Sequence, residues 1–267
     1  MSDFLEEHEK IVYDKFLNNG YIIQKIDDMS NLDFLQNFLV KKSSEFLSSK
    51  KIIDNKSWLN NIHNLISSEQ LNLFRLNLIE SINHEKRFRE KYYKTSKKYL
   101  DLIVGNELAM QRRVNLSIQL PNDDSSLLPV HADTWSGDSA YEAVVWIPLV
   151  DCFGTKTMYI LPPHKAIDLH KNFAKFVNNS QNNIFDLIKN DVIWLEIKYG
   201  EILIFNQSLP HGNVVNDESE TRWSMNCRFK GIFTPYQDKK LGEFFEPITL
   251  KPLNKLGMNY KLPHLET

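Results

Sequence analysis

The chain has 267 residues, 42% apolar and 25% charged, the composition of a soluble globular protein with one sizeable core and appendages. Its 32 basic and 34 acidic side chains nearly cancel, which gives no footing for nucleic acid or another strongly charged partner. No apolar run reaches the length of a bilayer span, and the acidic opening from Met1 to Glu7 is unlike a secretory leader, so a cytoplasmic protein without a membrane is expected.

Residues 1–109 read as a helical layer. Glu9 to Leu17 is periodic, Asn18-Asn19-Gly20 interrupts it, and Tyr21-Ile22-Ile23 suits a short strand. Leu32 to Phe46 returns to helical spacing, and Asn72 to Leu100 predicts one or two further helices. The charged positions there, Glu85, Lys86, Arg87, Arg89 and Glu90 among them, form a solvated face rather than a binding patch. With no repeat and no linker, residues 1–267 are expected to form a single domain.

From Met110 the pattern turns to strands. Val114 to Leu120 alternates strictly and leaves Asn115, Ser117 and Gln119 on one face, which either lines a cavity or meets water. Beyond a polar loop comes Pro129-Val130-His131-Ala132-Asp133-Thr134-Trp135. If that segment is extended, its period-two geometry puts His131 and Asp133 on one face. Trp135 and Tyr141 follow on a loop rich in serine, glycine and aspartate, where stacking on a ring and plain packing both stay open. Glu142 to Leu149 reads as a buried strand. Asp168 to Glu196 is expected to be a helical insertion, with helical stretches at Phe173–Val177 and Ile184–Ile188 joined by a turn-like 178–183. His164 and His170 at its entrance read as surface residues.

The apolar run Ile202 to Phe205 predicts a buried strand that leads to His211 and Gly212. Two imidazoles and one carboxylate can grip a divalent metal and leave positions open, as in non-haem Fe(II) oxygenases, although such a set also holds zinc. Arg222 to Phe229 alternates again: Arg222, Ser224, Asn226 and Arg228 share one face, and Trp223, Met225, Cys227 and Phe229 the other. An arginine fork with a hydroxyl two residues on suits a carboxylate, and a solvated edge strand is the plain alternative. Cys152 and Cys227 read as free buried thiols. The proline-punctuated residues 236–267 are expected to wrap the outside of the core.

His131-x-Asp133, His211 and Arg222-x-Ser224, with Trp146–Asp151, Met158–Lys165 and Gly200–Phe205 in order between them, resemble the motif set of the Fe(II)- and 2-oxoglutarate-dependent oxygenases. Their phytanoyl-CoA dioxygenase-like branch is the most similar, including its carbohydrate-tailoring members. The resemblance covers about residues 110–235, and Pro162-Pro163-His164 departs from it in a loop. It implies a mainly β fold with helices, in which a double-stranded β-helix (a cupin-like jelly roll) of residues 110–235 carries the N-terminal layer. It also implies Fe(II) held by His131, Asp133 and His211, with O2 as co-reactant. The cosubstrate 2-oxoglutarate would be clamped by Arg222 and Ser224 and bordered by Gln119 and Trp146. Because Asp133 is present, the resemblance favours hydroxylation or a related oxidation over halogenation. Trp135, Tyr141, Asn226 and Arg228, with Asn206 and Gln207, point to a small polar substrate, and the resemblance suggests a sugar or nucleotide sugar. Oligomeric state stays open, a homodimer among the options. The alternatives are a cupin-like metal-dependent isomerase or hydrolase, or a barrel that only binds a ligand.

Overall fold

The computed structural model describes residues 4–49, 52–173 and 181–263. In chain order the elements are α1 (Glu7–Asn19), β1 (Tyr21–Lys25), α2 (Met29–Phe46), α3 (Asn55–Asn60), α4 (Ser68–His84), α5 (Phe88–Ile103), β2 (Leu108–Gln111), β3 (Asn115–Gln119) and β4 (Glu142–Pro148). There follow β5 (Tyr159–Ile160), α6 (Pro163–Lys171), α7 (Gln181–Ile188), β6 (Ile193–Trp194), β7 (Glu201–Asn206), β8 (His211–Gly212), β9 (Arg222–Gly231), β10 (Phe245–Pro247) and α8 (Pro252–Met258).

Local chemistry sets the helix ends. Gly20 closes α1 in the left-handed conformation (φ 73°), its N–H on the Phe16 carbonyl, which a residue with a Cβ adopts only under strain. Asp28 caps α2 by accepting from the Ser30 N–H, and Ser67 with Gln70 forms a capping box on α4. Pro163 stands in the first turn of α6, where its missing N–H costs nothing. The proline pair after Leu161 therefore starts a helix.

The strands form two antiparallel sheets. The larger runs in the order β1-β7-β4-β9-β2-β10, with β3 also paired to β9, and the smaller runs β6-β5-β8. Alternation decides what each side of the larger sheet meets. Val145, Ile147, Ile202, Ile204, Trp223, Met225, Cys227 and Phe229 join one core with Leu35 and Leu39 of α2, Phe74 and Leu78 of α4, and Tyr92 of α5. Val144, Trp146, Leu203 and Phe205 face the other way and pack with Tyr159, Ile160, Leu161 and Leu195 around the smaller sheet. Helices, large sheet and small sheet are thus three layers, and among the described residues the strands do not close into one continuous barrel.

Some boundaries differ from expectation. The short strand expected at Tyr21–Ile23 is β1 and extends to Lys25, pairing with β7 at the edge of the large sheet (Tyr21 opposite Phe205), while β2 begins at Leu108, two residues before the expected change at Met110, and pairs with β9. The tail supplies β10, paired with β2, before α8. The helical insertion starts at Pro163 rather than Asp168, and Ile193–Trp194 at its end is a strand. Within it α7 begins at Gln181, inside the stretch expected to be a turn. Residues 174–180, which include most of the expected Phe173–Val177 helix, lie outside the described residues. No helix among the described residues is long and apolar enough to cross a membrane.

Candidate metal and carboxylate site

One backbone pairing brings the two histidines together. His131 donates its N–H to the His211 carbonyl at 3.0 Å and His211 returns the bond at 2.8 Å, so the residues stand directly opposite and their rings lie 4.3 Å apart. Each ring is also oriented by its own chain. His131 Nδ1 lies 2.8 Å from the Pro129 carbonyl and His211 Nδ1 2.8 Å from the Leu209 carbonyl. A carbonyl can only accept, so both Nδ1 atoms carry a proton, and Nε2 is the atom of each ring left to meet a metal. Burial, with the His131 ring beside it, pushes the His211 imidazole down to about 4, which keeps it neutral and able to ligate at neutral pH.

Asp133 arrives differently from the expected strand. Ala132 is extended, but Asp133 opens a single 3-10 turn, Asp133–Ser136, and its N–H is fixed by the Gln207 carbonyl at 3.0 Å. The turn still brings its carboxylate to 3.8 Å from His131 Nε2. His131, Asp133 and His211 each offer one ligand atom, all within 4.8 Å of one another, and among the described residues this set could hold a metal ion. Arg228 touches the same carboxylate, its Nη2 2.9 Å from Oδ1.

The set opens on a cavity of about 240 Å³ that includes Ser117, Val144, Trp146, Met158, Phe205, Arg222, Asn226 and Arg228 in its wall. Arg222 is 3% exposed, and burial lowers its guanidinium to about 10 while leaving it charged at neutral pH. Its Nη1 donates to the Thr157 carbonyl and its Nη2 to Ser117 Oγ, both at 3.0 Å, while Nε has no partner among the described residues. Ser224 lies opposite Ser117 in the ladder and is also buried, with an unpartnered Oγ. Leaving such groups unsatisfied costs about 1–3 kcal/mol each, more for the charged one, so Arg222, which lines the cavity, suits an anionic ligand, with Ser224 beside it on β9 but not in the lining.

Other expected site residues lie elsewhere. Gln119 does not line the cavity: its Nε2 donates to the Val214 carbonyl at 2.6 Å at the far end of β3. Trp135 is carried away by the 3-10 turn and packs on His170 and Phe173, its Nε1 donating to His170 Nε2 at 3.1 Å. Tyr141 is 59% exposed and borders a separate depression with Phe16, Asn206 and Thr234. Gln207 is buried, with Oε1 on Arg228 Nε and Nε2 on Glu142 and the Ser139 carbonyl, so it supports the site from behind. His164 and His170 are exposed, and both thiols are free and buried.

Sequence reading missed Ser117 as a holder of Arg222, although it shares the polar face of β3. It also missed Asn213, which grips the loop over the cavity by accepting from the Leu128 N–H at 2.6 Å and donating to the Ser126 carbonyl. Neither contact has a signal in local spacing.

No protein-family model and no curated protein matches the sequence. Solved structures do match in shape. The non-heme monooxygenase ThoJ in its nickel complex superposes with a TM-score of 0.54 at 13% identity, over 90% of this chain and 84% of that one. The non-heme alpha-ketoglutarate-dependent carbocyclase SnoK of nogalamycin biosynthesis gives 0.52 at 12%, over 93% and 98%. HygX from Streptomyces hygroscopicus, with nickel and 2-oxoglutarate bound, gives 0.50 at 10%, over 89% and 90%. At such identities the likeness establishes a shared fold.

Proposed function

We propose that this chain is an Fe(II)- and 2-oxoglutarate-dependent oxygenase that oxidises a C–H bond of a small polar metabolite, a sugar or nucleotide sugar being the class favoured by the sequence resemblance. The two sheets are read as the halves of an open, cupin-like double-stranded β-helix. The observation that carries the proposal is the buried Arg222, with an unpartnered Nε, in the same cavity as the His131, Asp133 and His211 donors. A metal that merely polarised water for hydrolysis or isomerisation has no need of a buried carboxylate clamp beside it.

His131, Asp133 and His211 would hold Fe(II), and Arg222 with Ser224 would take the distal carboxylate of 2-oxoglutarate. When bound, the metal and cosubstrate together reduce O2 and supply the oxidising equivalents, with succinate and carbon dioxide as coproducts. The chain's own residues do the placing. Nδ1–H bonds to Pro129 and Leu209 keep both imidazoles in one tautomer, Arg228 and the Gln207 carbonyl hold Asp133, and Val144, Trp146, Met158 and Phe205 keep water from the reacting bond. Structural relatives described as a monooxygenase and a carbocyclase support the class and leave the bond-forming outcome to the substrate's position.

The test is anaerobic addition of Fe(II) and then 2-oxoglutarate to the purified chain. A weak visible charge-transfer band, followed by succinate on admitting air, is expected. If neither the band nor succinate forms, the proposal fails in favour of another metal chemistry or a binding barrel.

A further inference from the structure

The rim of the cavity carries a series of side-chain amides whose direction is fixed from one end. β9 changes partner here: Asn226 stands opposite Asn115 of β3, whereas Phe229 stands opposite Met110 of β2. At the crossing the Arg228 backbone N–H donates to Gln111 Oε1 at 3.2 Å. A backbone N–H is only ever a donor, so the Gln111 amide must turn its oxygen to Arg228 and its Nε2 onward. That Nε2 donates to Asn115 Oδ1 at 3.3 Å, and Asn115 Nδ2 donates to Asn226 Oδ1 at 2.8 Å. Each amide receives at oxygen and gives at nitrogen. Asn115 and Asn226 both stand in the cavity wall, and Asn226, the last of the series, beside Arg228 and Trp146, is left with an N–H to offer.

The cavity wall holds two cations, Arg222 and Arg228. Arg222 is the proposed 2-oxoglutarate holder, and Arg228 is paired with Asp133 at 2.9 Å and backed by Asp138 at 3.5 Å. With the cosubstrate on Arg222, an anionic substrate finds no unpaired guanidinium in the wall, and a cationic one finds no carboxylate apart from Asp133. Leu128, Val144 and Phe205 elsewhere in the wall supply an apolar surface.

We infer that Asn226 is a specificity-determining residue that donates to an uncharged acceptor oxygen of the substrate, a hydroxyl, ether or carbonyl, and that Gln111 and Asn115 position it by locking its amide. The substrate class is thus a neutral oxygenated molecule with one apolar face. This deepens the oxygenase reading, on which the presence of a substrate in the cavity rests, while the amide series stands without it.

The experiment uses the full chain loaded with zinc and 2-oxoglutarate, with side-chain amide resonances followed by NMR. The probes are methyl glucoside and its carboxylate and amine counterparts, methyl glucuronide and methyl glucosaminide. The neutral probe is expected to shift the Asn226 Nδ2 protons and to bind about tenfold more tightly than either charged probe, the worth of one hydrogen bond. In Asn115→Asp the new carboxylate still accepts from Gln111 but cannot donate, so Asn226 turns its amide to donate to it and shows oxygen to the cavity. The neutral probe then loses about tenfold and no longer shifts the Asn226 Nδ2 protons, and Asn226→Ala loses binding by a similar factor; the amine probe is not compared in Asn115→Asp, because residue 115 is itself in the cavity wall. Equal binding of the three probes, no binding of any, or an unchanged neutral probe in either variant overturns the inference. Calorimetry of 2-oxoglutarate on the zinc-loaded chain is run first. Its failure counts against the oxygenase reading alone, because the Asn226 resonance and its response to Asn115→Asp report the amide series in either case.

Discussion

Arg228 and Asp133 form a 2.9 Å ion pair inside the cavity, and one residue secures both partners. The Gln207 carbonyl accepts the Asp133 N–H at 3.0 Å, and Gln207 Oε1 accepts Arg228 Nε at 3.1 Å. Arg228 therefore orients a proposed metal ligand while its own fork is held. Lysine has one ammonium and cannot reach Asp133 and Gln207 together. Arg228→Lys is expected to weaken zinc or manganese binding by about 10- to 100-fold, the usual loss when the group behind a ligand is removed. Calorimetric titration with an unchanged circular dichroism spectrum would show this, and wild-type affinity would rule the orienting role out.

Much of this site was legible because strands have a period of two. Arg222, Ser224, Asn226 and Arg228 were placed on one face of β9 by alternation alone, and Trp223, Met225, Cys227 and Phe229 do form the opposite, helix-facing side. Alternation gave the wrong reason at Asp133, where a 3-10 turn, anchored by Gln207 seventy-four positions away, does what an extended strand was expected to do. It also said nothing of depth along a strand. Gln119 stands directly opposite Arg222 in the ladder, yet its amide turns to the Val214 carbonyl, and the guanidinium reaches diagonally to Ser117 instead. Trp135 and Tyr141 looked alike as loop aromatics, and the fold separates them through packing contacts that no local pattern encodes.

Arg222 and Asp133 have separable roles under the proposed function. Asp133→Ala removes a charged ligand and should abolish succinate formation, whereas Arg222→Ala leaves the three donors in place and should mainly raise the 2-oxoglutarate requirement. Loss of a charge-assisted bidentate contact corresponds to about 10- to 100-fold in affinity. Titrating 2-oxoglutarate against succinate formed gives the answer, and an unaltered requirement in the Arg222 variant would reject the clamp.

Gly212 supplies room next to His211. A Cβ built there would lie 2.5 Å from Tyr159 Oη and 2.8 Å from the Leu128 carbonyl, and Tyr159 is its own partner in the β5–β8 ladder. Gly212→Ala must therefore push β8 off β5 or displace the loop, which moves His211 out of register with His131. Overpacking of this kind costs about 1–3 kcal/mol. We expect a lowered urea midpoint and a larger proportional loss of metal affinity than of stability. Metal binding at wild-type strength would mean that the local shift is absorbed without moving the imidazole.

Cys152 and Cys227 give the protein an alkaline limit. Desolvation pushes each thiol up from an ordinary value of 9.0 to about 12, although Arg222 and Lys156 pull Cys152 the other way and Arg89 and Arg228 pull Cys227. Below pH 9 both thiols are protonated in the folded and unfolded chains, and their contribution to stability is complete. As pH rises from 9 toward 12, the unfolded chain sheds protons that the folded chain keeps, so stability falls. The loss is about 1 kcal/mol per thiol between pH 9 and 10. Urea midpoints across that interval should drop in the wild type and drop less in Cys152→Ala and Cys227→Ala, with a residual slope from buried tyrosines such as Tyr92 and Tyr159, whose hydroxyls burial also raises. A thiol reagent at pH 8 should leave the native chain almost untouched and modify both cysteines in urea. Rapid modification of the native protein would place these sulfurs in contact with solvent and remove the basis for the alkaline limit.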